Sequence, residues 1–126
     1  MVVAFKDIHP ASTVHLLICP KNRAVRSIAF LTVEHADLLE HMITVGKSLL
    51  KQKAGLTENQ QVAQGVMGFH APPVLQVPHL HMHAIAPKGK MSFWSKLHFM
   101  QGSFWFQSAD KVLGRLKSQQ TAQITI

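Results

Sequence analysis

The sequence predicts an α+β domain: an antiparallel sheet with one long helix packed on it and a second helix near the C-terminus. Three observations predict it. Two short apolar runs at the start are separated by a proline-bearing turn, as in an antiparallel pair. A single stretch, residues 32–52, carries apolar side chains at helical spacing. A third kind of segment, His79-Leu80-His81-Met82-His83-Ala84-Ile85, alternates with the period of two that belongs to strands.

Taken in order, Val2 to Lys6 reads as the first strand and Thr13 to Cys19 as the second, closed by Pro20-Lys21-Asn22. Between them Asp7-Ile8-His9-Pro10-Ala11-Ser12 is a turn, with Pro10 holding His9 in extended geometry. Thr32 can cap a helix reaching about Gln52, with Glu34 in its first turn, and Gly55 stops it. Leu39, Met42, Ile43, Gly46, Leu49 and Leu50 form its apolar stripe. Val62 to His70 reads as a third strand in which Gly65 and Gly68 mark weakness or close backbone approach. Ala71-Pro72-Pro73 then breaks the ladder before the histidine strand, residues 79–86. Ser108 is the cap of a last helix through Lys117, with Val112, Leu113 and Leu116 inward, and Phe104-Trp105-Phe106 docks on the sheet. No repeat or linker divides the chain, so residues 1–118 form one domain and 119–126 a tail.

Composition narrows the class. The 126 residues suit one domain, and 47% hydrophobic content excludes disorder. No apolar run approaches the roughly 18 residues of a membrane span. The first residues do not read as a signal peptide. Cys19 is the only cysteine, which fits a reducing compartment, and a cytoplasmic location, with the nucleus as a second compartment, is expected. With 13 Lys+Arg against 6 Asp+Glu the formal charge is +7, which favours anionic partners. The basic residues are scattered, so phosphate-bearing small molecules are expected rather than a nucleic acid or a membrane.

Alternation places the imidazoles of His79, His81 and His83 on one face, roughly 6.6 Å apart for a rise of about 3.3 Å per residue. Imidazole titrates near neutrality and can act as nucleophile, acid or base. Three readings are open: a solvated face, a phosphate site, and a metal site in which His15 or His70 adds a nitrogen to His-x-His. His9, His35, His41 and His98 read as surface or packing residues, and Trp94 and Trp105 as packing anchors.

Residues 79–85 fit the His-φ-His-φ-His-φ-φ pattern (φ apolar) and resemble the signature of the histidine triad nucleotide hydrolases and transferases. Phe5-Lys6-Asp7-Ile8-His9-Pro10 and Thr13 to Lys21 are similar to that family's ribose-binding turn and following strand. Met67 to Pro73, Phe93 to Leu97 and Trp105-Phe106 resemble one branch of it, so the likeness covers all but the last eight or so residues. The resemblance implies the family fold and a nucleoside 5′-phosphoramidate hydrolase acting on AMP joined to an amine, with neither cofactor nor metal. His81 would be the nucleophile, forming a nucleotidyl-imidazole. His79 and His83 would bind phosphate oxygens, and His15 would support His83 or the leaving group. Asp7 would accept from the ribose hydroxyls, and Ile8, with Phe5 and Leu17, would face the base. Gln76 stands where close relatives carry a serine that assists the leaving group. Gln76, Arg23 and Gly68 depart from the family pattern, which keeps open a purine-nucleotide-binding module without useful turnover. Family domains begin with a helix and a strand ahead of the counterpart of Val2, so a shortened domain lacking both is expected. Homo-oligomers are expected by the same likeness.

Overall fold

Strand β1 (Val2–Lys6) and strand β2 (Val14–Pro20) pair in antiparallel register, Ala4 opposite Ile18. The computed structural model that shows this describes residues 1–22, 24–71 and 79–124, the last three by backbone alone. Gln76, Arg23 and the Pro72-Pro73 break lie outside the described residues.

Thr32 caps a short 3-10 turn, Val33–His35, which runs on into helix α1 (Ala36–Ala54). Gly55 ends α1 with φ 71°, a left-handed conformation that glycine adopts without steric cost. Leu39, Met42, Ile43, Gly46 and Leu50 are buried, so the stripe read from the sequence is the face laid on the sheet.

The third segment differs from expectation. Residues 58–64 form helix α2 (Glu58–Gln64), and only Val66–His70 is strand β3. A reciprocal cap explains it: Thr57 Oγ1 accepts from the Gln60 amide at 3.4 Å while Gln60 Oε1 accepts from the Thr57 amide at 3.0 Å. Val62, read as the first residue of the strand, is 88% exposed on α2.

The histidine strand is also shorter than expected: β4 spans Met82–Ala86. Its register with β2 runs from Val14 opposite Ala86 to Ile18 opposite Met82. The ladder stops there because Pro20 has no N–H to offer and the Leu80 amide donates to Val25 O at 3.0 Å. Helix α3 (Phe93–His98), capped by Ser92, and strand β5 (Phe106–Ser108) follow, neither of which the sequence suggested. Phe106 is buried, but Phe104 is 74% exposed and does not dock.

The final helix α4 (Ala109–Ile124) starts after Ser108 and runs beyond Lys117, since no glycine or proline interrupts residues 118–124. Gln120 Nε2 donates to Val33 O at 3.2 Å and ties α4 to the start of α1.

The sheet order is β1-β2-β4-β3-β5, antiparallel throughout. Leu16 and Ile18 of β2, Met82, Ala84 and Ala86 of β4 and Phe69 of β3 pack with α1 and α4 in the main core. The opposite face carries His15, His83, Gly68 and His70, above a smaller cluster of Val66, Ile85, Met91, Phe99 and Phe106. Gly68 sits at a close crossing, where a Cβ would stand 2.5 Å from Gln107 O and 2.6 Å from Phe106 Cε2. No helix among the described residues is long and apolar enough to cross a membrane.

Candidate active site

A cleft of about 810 Å³ opens on the face away from α1. Its floor carries His15 from β2, His81 and His83 at β4, and His70 from β3. Phe5, Asp7 and Ile8 form one wall; Trp94, Ser95 and His98 of α3 stand on the other.

His81 and His83 are adjacent, with ring centroids 5.1 Å apart. His81 Nδ1 lies 2.7 Å from the His79 carbonyl. A carbonyl only accepts, so Nδ1 carries the proton and Nε2 keeps its lone pair. His83 Nδ1 lies 2.9 Å from His15 Nε2, and His15 Nδ1 accepts the Ala11 amide at 2.9 Å. His15 Nε2 also stands 3.3 Å from Asp7 Oδ2. The other Asp7 oxygen accepts the His9 amide at 2.8 Å, which shapes the turn.

His79 does not face the cleft as expected. Its Nε2 donates to Pro20 O at 2.9 Å, and its ring lines a small recess with Arg26 and Ser27. Residues 79–81 precede the ladder, so strand alternation does not govern them. His79 offers its carbonyl to His81 rather than its imidazole to the cleft.

Sequence reasoning offered His70 only as an added nitrogen for a metal site, yet it is buried edge-on against His83, centroids 5.0 Å apart. Its Nε2 donates to His98 O at 3.1 Å and ties β3 to the end of α3. Phe99 closes the floor, in ring contact with His15, His70 and His83. Two-residue spacing from Val66 and Gly68 was the signal that places His70 on this face. Nothing comparable marked α3. Trp94, expected as a packing anchor, is instead 73% exposed on the cleft wall. Trp105 does anchor, donating Nε1–H to Leu97 O at 3.0 Å. Ile8 stands on the wall but is 86% exposed.

Burial controls the protonation of these rings. It pushes His83 down to about 2, and neighbouring imidazoles, His81 first, push the same way. Burial also lowers His70, to about 4, against the opposing hydrogen bond to His98. His15 is lowered by burial, with the Asp7 carboxylate pulling back up. His15, His70 and His83 are thereby favoured as neutral rings, able to accept or donate without carrying charge.

Among the described residues, Asp7, His15 and His83 offer ligand atoms within 4.8 Å of one another. The donor set does not fit a metal well. His15 would have to bind through Nε2, moving its proton to Nδ1, where the Ala11 N–H already points. Two donors would then face each other.

A family profile described as scavenger mRNA decapping enzyme C-term binding matches residues 1–98. The adenosine 5′-monophosphoramidase HINT3 of Xenopus tropicalis is 38% identical over 117 residues, which cover 93% of this chain and 73% of that protein. A HIT family hydrolase from Legionella pneumophila superposes with a TM-score of 0.57 at 29% identity, over 74% of this chain and 78% of that one. A second, from Clostridium thermocellum, gives 0.58 at 25% identity, over 68% and 70%. The chain belongs to the histidine triad family. The family assignment agrees with the residue pattern at 79–85, and the five-stranded antiparallel sheet with its packed helices is the family fold.

Proposed function

We propose that this histidine triad protein hydrolyses nucleoside 5′-phosphoramidates, cleaving the P–N bond of AMP joined to an amine. One observation carries the reading: the His79 carbonyl holds the His81 Nδ1 proton at 2.7 Å, leaving Nε2 as a free lone pair beside the cleft. The names of the relatives, adenosine 5′-monophosphoramidase in Xenopus tropicalis and purine nucleoside phosphoramidase in Escherichia coli, support the substrate class.

His81 Nε2 attacks the α-phosphorus as the P–N bond breaks, and the amine departs with a proton taken from water. The nucleotidyl group stays on His81, whose positive charge is shared through Nδ1–H with the His79 carbonyl. Water then attacks the same phosphorus from the side the amine left, and the proton it loses neutralises the hydroxide left when the amine was protonated. AMP is released and His81 regains its lone pair, so one difficult displacement becomes two easier ones. Asp7 has acceptor capacity left on both oxygens for the ribose hydroxyls, and Phe5, Leu17 and Ile8 offer apolar surface to the base. The +7 formal charge speeds arrival of the anionic substrate.

Steady-state hydrolysis of a fluorogenic adenosine phosphoramidate, in the presence of chelator, tests the reading. Turnover by the wild type and none by His81→Ala is the expected result. Folded wild type that binds AMP yet releases no amine would overturn it in favour of a binding module.

A further inference from the structure

We propose that the backbone N–H of Ala11 fixes the proton positions of His15 and His83, so that His83 stands as a permanent Nε2–H donor to the reacting phosphoryl group. The inference rests on the cleft being the phosphoramidate site, and it names Ala11 as a positioning residue.

The chain of reasoning starts from the one group whose role is not negotiable. An amide N–H can only donate, and Ala11 N lies 2.9 Å from His15 Nδ1. His15 Nδ1 is therefore the acceptor, and the single proton of a neutral imidazole must sit on Nε2. That atom is 2.9 Å from His83 Nδ1 and 3.3 Å from Asp7 Oδ2. His83 Nδ1 must accept in its turn, since two protons cannot share a contact of that length. His83 is left with its proton on Nε2. That atom is buried, and it is the unpartnered polar side-chain atom found in the interior of the described residues. An unmade hydrogen bond of this kind is expensive, and a donor left waiting beside a cleft points to a ligand oxygen that completes it.

His81, in ring contact with His83 at 5.1 Å, has the opposite arrangement, because its Nδ1 proton is held by the His79 carbonyl. Two chemically identical side chains are thereby assigned different work by two backbone groups. His79 C=O makes His81 a lone-pair donor, and Ala11 N–H makes His83 a proton donor. The Ala11 amide needs no particular side chain, so nothing in the residue type announces it. Only proline at position 11 would delete it.

Long-range ¹H–¹⁵N correlation of histidine-labelled protein tests the assignment without substrate. The expected spectrum has His81 protonated at Nδ1, and His15 and His83 protonated at Nε2. His83 protonated at Nδ1 would overturn the proposal whether or not the protein hydrolyses anything. Conversely, the expected spectrum from a protein without turnover would sink the proposed function and the phosphoryl role of His83, and leave standing the proton positions set by the Ala11 amide. Ala11→Pro supplies the second reading. Its His15 and His83 signals should show mixed protonation and its kcat should fall about tenfold or more, with KM little changed, as expected when a preset donor is lost. Ala11→Gly keeps the N–H and should keep the His83 assignment. A folded Ala11→Pro protein with the wild-type spectrum would refute the role of the amide. If that variant does not fold, the wild-type spectrum decides alone.

Discussion

Acidification should unfold this protein through its neutral histidines. His83 and His70 are 6% and 8% exposed, and burial holds them at about 2 and about 4 against 6.5 for a free imidazole. The folded values are lower than the unfolded ones, so as pH falls the unfolded chain takes up protons first. The stability they permit is complete above pH 6.5 and is lost as pH falls toward the folded values. Each unit of pH below 6.5 costs about 1.4 kcal/mol per group until the folded value is reached. At pH 5, that is 1.5 units, or about 2 kcal/mol for each ring and about 4 kcal/mol for the pair. His15, lowered in the same direction, adds to it. The loss compares with a total stability of about 5–15 kcal/mol for a domain. Urea unfolding at pH 7.5 and pH 5 should show it as a drop of about 4 kcal/mol in the extrapolated stability, and His70→Gln should show about half that drop. A stability constant within about 1 kcal/mol across that range would mean the rings are solvated or charged in the fold, and would refute the neutral rings.

Other perturbations give separate checks. Gly68→Ala should cost about 1–3 kcal/mol by thermal melting, because its Cβ would meet the Gln107 carbonyl, which cannot move without shifting β5. Gly46→Ala should cost much less: its Cβ meets the flexible ends of Met67 and Met82 at 2.8 Å, and alanine gains about 1 kcal/mol of helix propensity. Thr57→Ala should lose about 1 kcal/mol by removing the cap of α2, and an unchanged melt would question that helix. Val62→Lys should change stability by no more than about 0.5 kcal/mol, whereas a half-buried strand position would not tolerate it.

What the sequence disclosed follows from how local each signal was. The turn at Asp7-Ile8-His9-Pro10, the first two strands and the long helix are coded by spacings within a few residues, and the structure has them within one or two residues at most ends. The helix α2 was misread because the Val62 to His70 run was judged by apolar content, while Thr57 and Gln60 just upstream carried the stronger capping signal. His79 was misplaced because period-two alternation assumes a ladder. Whether residues 79–81 have one depends on Pro20 and Val25, some sixty residues away. The setting of His81, the proposed nucleophile, was only partly legible, since its His79 carbonyl partner lies two residues away in the chain. The rest of the floor was not: His70 and Phe99 reach it through β3 and the end of α3, and α3 is an element held by one serine cap and tertiary contacts.

The separation of partners in the chain has a consequence for biosynthesis. His15 meets His83 across 68 residues, and Phe99 closes over both only after α3 has been made. At about 5–20 residues per second, the N-terminal half of the site waits several seconds for the other half. During that interval β2, an interior strand of the finished sheet, has β1 on one side and an open edge on the other. Catalytic competence therefore arrives in a single late step, and a chain halted before residue 83 is a strand-edge hazard with no chemistry to show for it.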